Sequence, residues 1–98
     1  MNASNRDGMR RQVRDALDAL ARRAPGHAVE LRVPPFAAVQ LVEGPRHTRG
    51  TPGAVVEMDA GTLFALLDGT LTWDAGIHAG RIHASGERSN LSHLFPPR

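Results

Sequence analysis

The spacing of the apolar residues changes twice along this 98-residue chain, and that limits it to a mixed fold. From residue 5 to 23 apolar side chains recur at helical spacing. After Pro25-Gly26 they alternate with polar ones, which is typical of half-buried strands, and at Asp59 the helical spacing returns. The order predicts an α+β fold whose helices pack on one face of a four- or five-stranded, mainly antiparallel sheet.

Prolines, glycines and capping residues set the predicted boundaries. We expect a long helix over 5–23, short helices over 60–68 and 73–79, strands over 27–33, 36–42, 54–58 and 81–85, and a helical turn within 91–95. Asp59 and Thr72 suit the N-caps of the short helices, and Gly69 and Gly80 suit their ends. The length predicts a single domain over residues 1–98, with 1–5 and 96–98 disordered.

Composition excludes several classes of function. The chain has no cysteine, so disulfides, iron–sulfur clusters and thiol catalysis are excluded. Its five histidines form no short metal-binding spacing, and we expect neither a metal nor another cofactor. The net charge of +2 is too modest to argue for nucleic acid. Neither a secretory signal nor a membrane-length apolar stretch is visible, so a cytoplasmic protein without stable membrane insertion is expected.

No motif for covalent catalysis is present. A nucleophile-elbow pattern is missing around every serine, and the sequence therefore predicts a protein that is not an enzyme. The polar segment 43–53 carries Arg46, His47 and Arg49. It is either a solvated connection or a contact for an anion or a polar headgroup, because arginine suits carboxylate and phosphate.

Two stretches resemble a known family. Residues 66–86 read as apolar helix, Gly69, Leu71, short helix, Gly80, strand, Gly86, and this order resembles the C-terminal signature of sterol-carrier proteins. Residues 33–52 are similar to short stand-alone bacterial members, and a related domain forms the C-terminal part of mycothiol-dependent maleylpyruvate isomerases. Family members often have proline at the position of Trp73 and a branched aliphatic residue at that of Ala84.

The resemblance implies a sterol-carrier-like fold that binds a lipid or another apolar small molecule without turnover. The ligand would lie in a cavity between the helices and the sheet, smaller or more open than a sterol needs because position 84 is alanine. The candidate lining residues are Phe36, Val39, Leu41, Val56, Met58, Leu63, Leu67, Leu71, Trp73, Ile77 and Ile82.

Two other functions stay open at this point. The chain could be a protein-interaction or accessory module whose partner contacts the arginine-rich 43–53 segment. It could also support an isomerase-like enzyme as a separate subunit. A protein partner or a homodimer fits either of them.

Overall fold

A computed structural model describes residues 3–44 and 53–96, and these form the predicted α+β domain. The helices are α1 (Ala3–Arg23), α2 (Ala60–Asp68) and α3 (Trp73–His78). The strands are β1 (Val29–Val33), β2 (Ala37–Leu41), β3 (Ala54–Met58) and β4 (Ile82–Ser85). A 3-10 turn covers Ser92–Leu94, inside the segment predicted to form a helical turn.

The four described strands form one mixed sheet in the order β2-β1-β3-β4. β1 pairs antiparallel with β2 and parallel with β3, and β3 pairs antiparallel with β4. Two of these three pairings are antiparallel, in agreement with the mainly antiparallel sheet that the sequence predicts. β2, which follows β1 in the chain, lies on the opposite side of β1 from β3. This fits the parallel pairing of β1 and β3, because parallel neighbours cannot be joined by a tight hairpin.

One face of the sheet is buried and the other is exposed. Val29, Leu31 and Val33 of β1 are almost fully buried, and the alternate residues Glu30 and Arg32 lie on the opposite face. The core is completed by apolar side chains of α1 and α2, which belong to the same cluster as the buried face of the sheet: Val13, Leu17, Leu20, Leu63 and Leu66. The predicted apolar stripe of α1 is thus its packing surface.

The exposed face carries a small group of charges. Nε of Arg32 lies 3.9 Å from Oε1 of Glu30 and 3.7 Å from Oε1 of Glu57. All three side chains are about half exposed. Ion pairs at this exposure contribute little to stability, because water screens them. This face therefore acts mainly as a solvated surface.

The two predicted caps of α2 are confirmed. Asp59 accepts a hydrogen bond from the backbone N–H of Thr62 at 2.8 Å, and Gly69 ends the helix in the left-handed conformation, with φ 83°. Thr62 is fully buried, and its hydroxyl accepts a hydrogen bond from Arg81 Nε at 3.1 Å, just before β4. Asp59, Thr62 and Arg81 thus tie the start of α2 to the edge of the sheet.

Replacing Asp59 tests this cap. We expect Asp59→Ala to lower the free energy of unfolding by about 1 kcal/mol, because the first turn of α2 loses its acceptor. Asp59→Asn, which keeps a side-chain oxygen, is the matched control and should retain most of that stability. Chemical denaturation measures both variants, and equal losses for the two would show that the carboxylate charge, rather than the cap, matters.

The same carboxylate predicts a pH dependence. The hydrogen bonds from the backbone and the side chain of Thr62 lower the pKa of Asp59 below 3.8, with help from the charge of Arg81, although desolvation opposes them. A carboxyl group whose pKa is lowered on folding stabilises the protein above its unfolded pKa, and the contribution is lost as pH falls through the folded pKa. As the pH falls below about 5, the melting temperature of the native protein should therefore decrease relative to that of Asp59→Asn.

Candidate functional site

The short helix α3 and the C-terminal turn together form an open groove with an aromatic floor. Trp73, the only tryptophan of the chain, begins α3 and is 7% exposed. Its indole stacks on the ring of Phe95, with ring centroids 6.2 Å apart and planes 16° from parallel. The groove, here called the Trp73 groove, has a volume of about 470 Å³ and is lined by Thr72, Trp73, Asp74, Ser92, His93, Phe95 and Pro96.

Local hydrogen bonds hold both walls of the Trp73 groove. The Thr72 hydroxyl caps α3 by accepting from the backbone N–H of Ala75 at 3.1 Å, which fixes where the helix begins. On the other wall, Arg23 at the end of α1 donates to the carbonyl oxygen of Leu94 at 2.9 Å. Leu91 and Leu94 are buried in the core. Their burial fixes the position of the 3-10 turn, which Phe95 directly follows.

The rest of the Trp73 groove is polar. Asp74 and His93 are exposed, and Ser92 and Thr72 add hydroxyl groups. Asp74 forms no ion pair with any residue in the described part of the chain. The groove thus combines an apolar floor with a rim of hydrogen-bonding groups, the pattern typical of small-molecule sites.

Residues in the described ranges also line grooves elsewhere on the surface. One follows the edge strand β4, has a volume of about 470 Å³, and is lined by Val55, Glu57, Ile77, Ile82, His83, Ala84 and Ser85. A smaller one of about 270 Å³ lies at the β1–β2 turn and is lined by Arg32, Pro34, Pro35, Phe36, Ala37 and Ala38.

The predicted lining residues are distributed over several places. Leu41, Val56, Met58 and Leu63 are packed in the core. Val39, Leu67 and Leu71 are partly buried against that core. The other four border grooves: Trp73 borders the Trp73 groove, Ile77 and Ile82 the β4 groove, and Phe36 the groove at the β1–β2 turn.

Two sequence predictions about the site remain untested by the described structure. Arg46, His47 and Arg49 lie outside the described ranges, so the role of the 43–53 segment stays a prediction. A cavity shared by all eleven predicted lining residues also stays a prediction.

Sequence reasoning missed Phe95, Asp74, Ser92 and His93 as site residues. Leu91, Leu94 and Phe95 do mark an apolar turn in the sequence, and this was the available signal. Nothing in the sequence pairs that turn with Trp73, which lies about twenty residues earlier, because the stacking depends on how the core closes.

Two features are absent from the described part of the chain. Across residues 3–44 and 53–96, no helix has both the length and the apolar character that crossing a membrane requires. Within the same ranges, histidine and acidic side chains do not gather in a group of three that could hold a metal ion.

The comparison with protein families agrees with the fold. The model of the family described as bacterial SCP ortholog matches residues 5–97, nearly the whole chain. The chain belongs to this sterol-carrier-protein-like family. A search of curated proteins finds no match.

The contact between α3 and β4 depends on a glycine. Gly76 is buried, and a Cβ at this position would lie 2.5 Å from Cδ1 of Ile82 and 3.0 Å from its Cγ1. The absence of a side chain therefore lets α3, and with it Trp73, approach the edge strand closely.

Substitution of Gly76 tests this contact. We expect Gly76→Ala to destabilise the protein by about 1 kcal/mol, because overpacking against Ile82 exceeds the gain in helix propensity. Gly8→Ala, where a Cβ meets nothing within 4 Å, should instead stabilise α1. In an Ile82→Val background, which lacks Cδ1, Gly76→Ala should cost less. Additive effects in this double-mutant cycle would contradict the proposed contact.

Proposed function

We propose that this protein binds a small apolar or amphipathic molecule, without chemical turnover, in the Trp73 groove. The observation that carries the proposal is the stacked Trp73–Phe95 pair forming the floor of a groove of about 470 Å³. That volume falls within the range of about 300–1,000 Å³ typical of ligand sites. Membership in the sterol-carrier-protein-like family supports a carrier role. Residues 1–98 would act as one binding domain, in the cytoplasm.

An open groove suits a smaller ligand than a closed tunnel does. The floor offers two aromatic rings, and the polar rim leaves one side of a bound molecule in contact with water. Burial of about eight methylene groups contributes about 6 kcal/mol before the cost of ordering the chain is subtracted. Dissociation constants of about 100 µM or weaker are therefore expected for a medium-length alkyl chain.

Titration with decanol tests binding directly. Because Trp73 is the only tryptophan, its fluorescence reports on the surroundings of this one residue in the groove. We expect a saturable change in emission and a higher melting temperature, since a ligand that binds only the folded state stabilises it. If neither the emission nor the melting temperature changes with decanol, the proposed function is wrong.

Removing part of the aromatic floor should weaken that binding. We expect Phe95→Leu to raise the dissociation constant for decanol by about two- to tenfold, because the stacked ring is lost while the core stays apolar. The matched control is Phe36→Leu, which makes the same change in the groove at the β1–β2 turn. Equal weakening in both variants would argue that decanol binds somewhere other than the Trp73 groove.

A further inference from the structure

Among the described residues, two charged groups lie near the Trp73 groove: the carboxylate of Asp74 in its lining, and the guanidinium of Arg23, which donates to the carbonyl oxygen of Leu94, next to the lining residue Phe95. Among the groove's lining residues Asp74 is the one carboxylate, His93 is the one other titratable group, and none is an arginine. The carboxylate sits at the rim, one residue after Trp73, where the polar end of an amphipathic ligand would meet water.

Asp74 is also available to interact with a ligand. Its side chain is exposed, and it forms no ion pair with the described residues. The nearby His78 contacts the backbone carbonyl of Asp74, at 2.9 Å from Nδ1, and leaves the carboxylate free. The hydroxyls of Thr72 and Ser92 and the imidazole of His93 complete a rim that can donate to and accept from an uncharged head group.

We propose that Asp74 makes the Trp73 groove selective for the head group of its ligand, favouring a protonated amine or a hydroxyl over a carboxylate. This inference rests on the proposed function, since it concerns the same groove. Two like charges about 4 Å apart in water repel by about 1 kcal/mol, which corresponds to about a fivefold change in affinity. The groove would therefore discriminate against free fatty acids and accept alcohols and amines with the same chain.

Three ligands with one alkyl chain isolate the head group. Decylamine, decanol and decanoate are titrated against Trp73 fluorescence at low ionic strength and about pH 8, below their micellar concentrations. We expect decylamine to bind about fivefold more tightly than decanol, and decanoate about fivefold more weakly. Added salt should reduce both differences, because mobile ions screen an exposed charge.

Asp74→Asn should abolish the selectivity. The three dissociation constants are expected to converge in this variant, while decanol binding stays within about twofold of the native value. Asp15→Asn is the control, since it makes the same change in net charge on the exposed surface of α1, away from the groove. If Asp74→Asn is poorly folded, Asp74→Ser serves instead, because it also removes the charge and should also abolish the selectivity. Asp74→Glu, which keeps the charge, should keep the order amine, alcohol, carboxylate.

The outcomes separate the two proposals. If decanoate binds as tightly as decanol, or if Asp74→Asn and Asp15→Asn change the three affinities equally, head-group selection by Asp74 is wrong and the groove remains a binding site. If none of the three ligands changes either the Trp73 emission or the melting temperature, the proposed function itself fails.

Discussion

The burial of β1 on its inner face is the constraint on which the rest of this structure depends. Val29, Leu31 and Val33 are nearly inaccessible to water, and β1 has a strand on either side. A chain of this length has one core to build, and the buried side chains of α1 and α2 belong to the same apolar cluster as that face. With the inner face committed to packing, the grooves that border described residues open at the periphery of the domain, beside α3, β4 and the β1–β2 turn.

The Trp73 groove forms because α3 and the C-terminal turn are each held in place by contacts with other parts of the domain. Gly76 brings α3 close to Ile82, and Arg23 holds the carbonyl of Leu94. These attachments come from different parts of the chain, and together they set Trp73 against Phe95. Such a groove needs no cavity inside the core, and a small domain can therefore carry it without giving up the apolar packing that keeps it folded.

The features that the sequence predicts correctly depend on residues close together in the chain, whereas the position of the ligand site depends on tertiary contacts. The helix caps at Asp59 and Thr72, the helix end at Gly69 and the strand β3 were all predictable, since each depends on residues adjacent in sequence. The predicted ligand site combined core residues such as Val56 and Leu63 with groove residues such as Trp73. Periodicity shows that a residue is apolar on one face, but it does not distinguish packing in a core from contact with a ligand.

The sequence by itself determined the succession of helices and strands, the side of β1 that is buried, and the absence of cysteine chemistry. It also carried enough local pattern, in residues 66–86, to indicate the family. Only the tertiary structure decided that β1 pairs parallel with β3, that Arg81 reaches the buried hydroxyl of Thr62, and that Phe95 stacks on Trp73. The physical reason is that caps, turns and alternation arise from sterics and hydrogen bonds between residues close in sequence. These three contacts join segments that are distant in sequence, and such segments meet only when the whole core forms and excludes water.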